Sequence, residues 1–391
     1  VHILIAHNNY AKFSGEEHAV HSMAEILIFF GHQISWLQQS SADIGDSITK
    51  KIGAFFSGIY SIESKKQIEH IVNTENIDLV QIQNLYPFLS SSILLAVKKK
   101  KVPVVMRCPN YRLFCPNGLH FTNNEICERC LYGKEWNCIL HNCEGNRFKS
   151  LGYSLRNVFA RMSGMIKNNV DVFLVLSEFQ KKRFLDGGIP ADRIEILPNI
   201  APVIDNAENN RYNGDTISFV GRVSPEKGVS QFINAARKLS QYRFSLAGST
   251  NAMPDVKKNA PSNIRFMGFL SGNDLNAFYL ESRIIVFPSI WFEGFPNVVA
   301  TAMAYGKPVI ASRIGALPEI VDDGVTGLLF EPGSTADLIE KIEYLWNRPN
   351  LCKEMGQAGL KKAKTKYSKQ KYYNRLMSVY EKARNLNNKR I

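Results

Sequence analysis

No stretch of the 391-residue chain reaches the roughly 18 consecutive apolar residues that a bilayer-crossing helix needs. Hydropathy therefore gives no reason to expect a helical membrane span. No basic leader or cleavage site precedes His2 to Ala6, which reads as one short strand, so a cytoplasmic location is expected. There is no internal repeat beyond two similar halves. No RNA- or DNA-reading motif organises the basic residues, and no nucleic-acid partner is expected. Cysteine is scarce outside one region, since six of the seven fall between Cys108 and Cys143 and only Cys352 lies elsewhere.

What remains is an ordinary globular composition, 45% hydrophobic and 21% charged, which argues against disorder. The length is enough to bury two cores, so two domains are expected. Lysine and arginine number 48 against 35 acidic residues, and the resulting charge of +13 points to an anionic substrate or surface. Within Gly145 to Asn168, the residues Leu151, Leu155, Val158, Phe159, Met162 and Ile166 recur at helical spacing among basic neighbours. Such a helix either lies on anionic membrane lipid or packs into a domain core with a solvated basic face.

Strand-like runs alternate with helical patterns, as in parallel sheets covered on both faces. His2 to Ala6, Leu79 to Ile82, Val102 to Met106 and Val172 to Leu176 are expected in one sheet. Ile217 to Val220, Phe244 to Ala247, Ile264 to Phe266, Ile284 to Phe287, Val309 to Ala311 and Gly327 to Phe330 are expected in another. The polar stretch Ala201 to Asp215, which carries Pro202, reads as a linker between them. A ligand then belongs outside the carboxyl ends of the strands.

Two segments carry candidate chemistry. In FPSIWFEGFPNVVATAMAYGKPVIASRIG, a buried strand ends at Pro288 and Ser289, and an apolar helix is expected from Phe295 to Ala304, opened by Gly294 and Pro296. Amides at such a helix start favour an anion, here beside the carboxylate of Glu293. Trp291 and Phe292 either line a sugar pocket or pack between domains. The second segment follows Ile217 to Val220 and runs Gly221, Arg222, Val223, Ser224, Pro225, Glu226, Lys227, Gly228. Arg222 offers a planar fork and Lys227 a compact charge, so the pair could neutralise one pyrophosphate.

Together these segments resemble the C-terminal half of the retaining GT-B glycosyltransferases of family 4, the group 1 transferases. HILIAHNNYAKFSGEEHAV looks like that family's first strand and glycine loop, ILPNI like its hinge, and EIVDDGVTGLLFEPG like its late strand and turn. The resemblance implies an α/β fold of two Rossmann-like, doubly wound parallel-sheet domains facing a central cleft. It divides the chain into an acceptor domain over 1–200, a nucleotide-sugar domain over 201–366, and a C-terminal helix over 367–391 returning to the first domain.

In chemical terms it implies a retaining transfer of a hexose from a nucleotide-sugar, UDP favoured, to a lipid-linked or polysaccharide acceptor of a bacterial cell surface. Glu293, Arg222 and Lys227 would be catalytic, and no cofactor is implied for catalysis. Gly15, Gly221, Gly294, Phe295, Pro296, Asn297 and Thr301 would bind the donor. The enzyme would sit on the inner, anionic face of the cell membrane.

The chain departs from the family pattern at three places: Thr301 stands where a second Glu is usual, and Pro109 and Gln83 stand where histidines are usual. A second reading is therefore a catalytically weakened GT-B scaffold that binds a nucleotide-sugar or a partner enzyme. Cys127 and Cys130 form a CxxC knuckle flanked by Cys115 and Cys143, with Cys138 as a substitute, so a structural zinc or a set of free thiols is expected in the insert near 108–143.

Overall fold

The computed structural model describes residues 1–9, 15–40, 48–204 and 214–390. Residues 10–14 of the expected glycine loop and 205–213 of the expected linker lie outside the described residues. Two compact units divide the chain, one made of Val1–Thr122, Cys127–Pro198 and Tyr372–Ile391, the other of Asn123–Ile126 and Asn199–Lys371.

The first unit holds a sheet of β1 (His2–Asn9), β2 (Gln33–Ser40), β3 (Leu79–Asn84), β4 (Val104–Arg107), β5 (Val172–Val175) and β6 (Ile194–Ile196). Their order is β2-β1-β3-β4-β5-β6, and every neighbouring pair is parallel. Ile3, Leu4, Ile5 and Ala6 are all inaccessible, as expected of a central strand covered by helices on both faces. Two strands were not anticipated. β2 reads QISWLQQS and buries only Leu37, while β6 has three residues, so neither edge strand carries the apolar run that marks a central one.

The second unit holds β7 (Thr216–Val220), β8 (Arg243–Ala247), β9 (Ile264–Gly268), β10 (Ser282–Phe287), β11 (Val309–Ser312) and β12 (Gly327–Phe330). These lie in the order β9-β8-β7-β10-β11-β12, again all parallel. Phe219, Phe232, Phe244, Ile284, Val286 and Leu338 anchor one apolar core beneath this sheet. The strand order reverses between β7 and β10, and a doubly wound sheet opens a ligand crevice at such a reversal, at the carboxyl ends of the strands.

Two helices differ in extent from the sequence reading. The basic amphipathic segment forms Arg147–Met162 and then Met165–Asn169, broken at Gly164, whose φ of +66° suits glycine and halts a right-handed helix. The last helix runs Lys369–Asn388, and within the first unit the ring of its Tyr373 stacks on Phe30 at 3.8 Å.

Candidate active site

The two loops that follow β7 and β10 meet at the reversal point. β7 ends at Val220, and the N–H of Gly221 donates to the Ala247 carbonyl at 3.0 Å. Pro225–Lys227 then makes a single tight turn, closed by Gly228 at φ +69°. A β-carbon at Gly228 would lie 1.7 Å from the Pro288 carbonyl oxygen, so the first loop sits flush against the second. Ile290 N–H and Ser289 Oγ both donate to the Glu226 carbonyl, at 3.0 and 3.2 Å, and tie the loops together.

Glu293 is the centre of this construction. Its carboxylate is 4% exposed, and Oε1 accepts from Lys227 Nζ at 2.6 Å, from Trp291 Nε1 at 2.7 Å and from Ser289 Oγ at 2.9 Å. Among the described residues Oε2 has no hydrogen-bond partner. The loop after β11 supports the Glu293 backbone from behind, where Ala316 N–H donates to the Glu293 carbonyl at 3.1 Å. Lys227 is held further by aromatic faces, its ammonium lying 5.1 Å from the Trp291 ring centroid and 5.4 Å from that of Phe287.

Arg222 takes a different partner. Its guanidinium is 2.9 Å from Glu226 Oε1, which also accepts from Ser224 Oγ at 2.6 Å, and its side chain is 63% exposed. The two cations of the loop thus begin on separate buried carboxylates, although the Arg222 side chain itself is open to solvent. Both carboxylates belong to the joined loops.

The chemistry these groups can perform is anion stabilisation beside a fixed hydroxyl acceptor. Residues 214–348 match the family model described as glycosyl transferases group 1. The chain therefore carries a group 1 glycosyltransferase domain over these residues. A glycosyltransferase of Methanocaldococcus jannaschii, itself uncharacterized, is 29% identical over 336 residues, covering 83% of this chain and 82% of that protein. An uncharacterized 41.2 kDa protein in the cps region of Klebsiella pneumoniae is 25% identical over 244 residues, covering 58% of this chain and 65% of that protein. The crystal structure of Anabaena HepE in complex with UDP superimposes with a TM-score of 0.67 at 15% identity, covering 97% of this chain and 100% of that one. The fold is GT-B, built from two parallel-sheet α/β domains.

Within the group 1 domain the expected helix start needs correction. The helix runs Asn297–Ala304, not from Phe295, because proline restricts the residue before it to extended conformations and Pro296 itself sits at the cap with ψ 115°. Gly294 and Phe295 remain in the loop, and the Phe295 ring meets Tyr367 edge-on at 5.0 Å. Asn297 Oδ1 accepts from Asn199 Nδ2 at 2.7 Å. Thr301 is half-buried and its hydroxyl bonds the Tyr279 phenol, which burial pushes up in pKa and which stacks on Tyr305 at 5.0 Å.

Sequence reasoning missed the grip on Glu293. Ser289, Trp291 and Glu293 alternate in sequence, and that period of two was the available signal that they could share one side of an extended segment.

Gly15 belongs to the first unit, where it opens the helix Gly15–Phe29. Gln83 and Pro109 line a cleft in the same unit together with Glu16, Arg107 and Arg112. Gln83 is buried and its Nε2 lies 3.2 Å from Met23 Sδ. His7 on β1 is fully buried, and burial, then His21 and Arg107, lower its pKa to about 4, so it is neutral at pH 7.

The cysteines of the insert lie near one another, and Cys130 senses Cys115, Cys143 and Cys127 electrostatically. Cys115, Cys127 and Cys130 are buried and Cys143 is half-buried, all as free thiols. Among the described residues no group of three or more His, Cys, Asp or Glu side chains is arranged to hold a metal ion. The thiols make other bonds: Cys115 Sγ lies 2.9 Å from Asn117 Oδ1, and Cys138 and Cys143 hydrogen-bond each other. Burial raises Cys115 to about 11 and Cys130 to about 12, which favours the protonated form.

Proposed function

We propose that this protein transfers a hexose from a nucleotide-sugar, UDP favoured, to a lipid-linked or polysaccharide acceptor in bacterial cell-surface glycan synthesis. The reaction retains anomeric configuration, as in family 4, needs no metal for its chemistry, and takes place at the inner face of the membrane. The observation that carries this reading is the Lys227–Glu293 pair, 2.6 Å apart and buried where the strand order reverses. The UDP held by HepE supports the nucleotide, and the cps-region relative supports the glycan product.

Departure of a nucleoside diphosphate puts negative charge on its β-phosphate while the anomeric carbon gains oxocarbenium character. Lys227 meets that charge from a fixed position, and the exposed Arg222 guanidinium turns from Glu226 to the phosphate oxygens. Glu293 keeps Oε1 engaged by three donors and offers Oε2 to a hydroxyl of the donor sugar. The carboxylate thus orients the sugar, and the cations stabilise the leaving group.

A thermal-shift screen of nucleotide-sugars, followed by donor hydrolysis assays, tests the reading. A true donor at 100 times its dissociation constant adds about 2.7 kcal/mol of stability. Glu293→Ala is expected to reduce donor hydrolysis by about 10²–10³, the usual effect of losing one preorganised polar group. Stabilisation without any turnover would leave only the scaffold reading, and an absence of both would remove the function proposed.

A further inference from the structure

The helix Arg147–Met162 is built inside out. Its buried residues include Ser150, Ser154, Arg156 and Asn157, and each has polar partners within the first unit. Ser154 Oγ donates to the Glu135 carbonyl at 3.0 Å, Arg156 to the Pro116 carbonyl at 3.0 Å, and Asn157 Nδ2 to the Arg112 carbonyl at 2.6 Å. The opposite side carries Phe148, Leu155 and Met162, spaced by sevens and therefore on one face. Phe148 is 82% exposed and Met162 75% exposed, with Leu155 also exposed between them. A surface helix of a soluble domain shows the reverse arrangement, with its apolar stripe inward.

A neighbouring element also exposes apolar residues. The short helix Trp136–Leu140 packs against Arg147–Met162 and presents Trp136 and Leu140, four residues apart on one face, to solvent. Unpaired cations lie on the same stretch of chain. Lys134, Arg147 and Lys167 are exposed and make no ion pair among the described residues. The nearby acids are already neutralised, Glu135 by Arg161 at 2.6 Å and Glu144 by Lys149 at 2.8 Å.

We propose that this outward face, formed by Phe148, Leu155 and Met162 beside the exposed Arg147, docks on an anionic lipid bilayer. The proposal deepens the reading above, on whose lipid-linked acceptor it rests, by naming the surface that meets the membrane. Charge complementarity favours lipid as the occupant, since the exposed, unpaired Arg147 adjoins Phe148 on an apolar strip of a chain of net charge +13. Aromatic tips beside lysines match the boundary between acyl chains and headgroups.

Vesicle co-sedimentation of the full chain tests the proposal. The protein is expected to bind phosphatidylcholine vesicles containing phosphatidylglycerol more tightly than pure phosphatidylcholine, and less tightly as salt rises. Phe148→Ser with Met162→Ser is expected to weaken binding at least about tenfold, the effect of losing two large apolar insertions. Circular dichroism and donor hydrolysis should not change, because neither residue belongs to the catalytic machinery. Equal binding by wild type and the double variant overturns the proposal. So does a wild-type dimer in solution that the same substitutions dissociate, which would assign the face to a second copy of the chain. Loss of vesicle binding with intact hydrolysis supports it, whereas failed hydrolysis in both proteins strikes the transferase reading instead.

Discussion

Lys227 Nζ stands 2.6 Å from Glu293 Oε1 across 66 residues of sequence, and both side chains are largely withdrawn from water. Removing one member of such a pair leaves an uncompensated charge, which costs about 3–5 kcal/mol in a buried setting. Lys227→Met is therefore expected to destabilise the second unit strongly, while Glu293→Gln, which keeps its shape, should do so less. The double variant should be more stable than the sum of the single losses predicts, as urea unfolding would show. Strict additivity would mean that the two charges are not coupled. Each single variant should also lose turnover by about 10² or more.

Gly228 tests how tightly the two loops must fit. Its φ of +69° and the 1.7 Å approach of a β-carbon to the Pro288 carbonyl oppose any side chain there. Gly333 makes the control, since its φ is +80° and nothing lies within 4 Å of its β-carbon. Gly333→Ala should cost only the backbone strain of a left-handed residue, about 1 kcal/mol. Gly228→Ala should cost more than about 2 kcal/mol and weaken donor binding, because the carbonyl must move and carry Ser289 with it. Similar losses in thermal unfolding for the two variants would dismiss the close contact as a cause.

The central strands and the loops of the site were legible because each rests on local chemistry. ILIA and IIVF announce strands buried on both faces, and Gly221 to Gly228 announces a tight turn carrying cations. Edge strand Gln33–Ser40 was not legible, since half-solvated residues carry no sustained apolar signal. The partner of Arg222 was missed although Glu226 lies four residues on, because spacing does not say which of two nearby carboxylates a cation will choose. Cysteine spacing brought the thiols of the insert to one region but did not show the bonds they make, such as Cys115 to Asn117 and Cys138 to Cys143. The face that Arg147–Met162 buries was equally hidden. Periodicity reveals an apolar stripe but not whether it turns inward.

Lys307 is 2% exposed, and its ammonium donates to the Leu280 carbonyl at 2.9 Å without a carboxylate partner among the described residues. Desolvation lowers its pKa from 10.5 to about 8. Between pH 8 and 10.5 the unfolded chain binds more protons than the folded one, so stability from this group rises with pH across that window. Below pH 8 both states are protonated and the penalty is constant. Lys307→Met should accordingly be most favourable relative to wild type near pH 7, and its advantage should shrink toward pH 10. An advantage that stays flat on urea unfolding over this range would place the titration elsewhere.

His7 produces a slope of the same sign at acid pH. Its ring is fully buried, neither nitrogen has a hydrogen-bond partner among the described residues, and its pKa falls from 6.5 to about 4. From pH 6.5 down to 4 the unfolded chain takes up a proton that the folded imidazole refuses, so the first unit loses stability as pH falls through this window. The residue sits beside Gln38 on β2 and Asn84 on β3, and an apolar side chain of similar volume would leave those strands in register. His7→Leu should therefore track wild type above pH 7 with a constant offset and gain on it by about 2 kcal/mol by pH 5, following 1.36 kcal/mol per pH unit. The measurement is unfolding of the first unit followed separately from the second, because two units need not melt together. If the offset at pH 5 equals that at pH 7, His7 is not the group that senses acid.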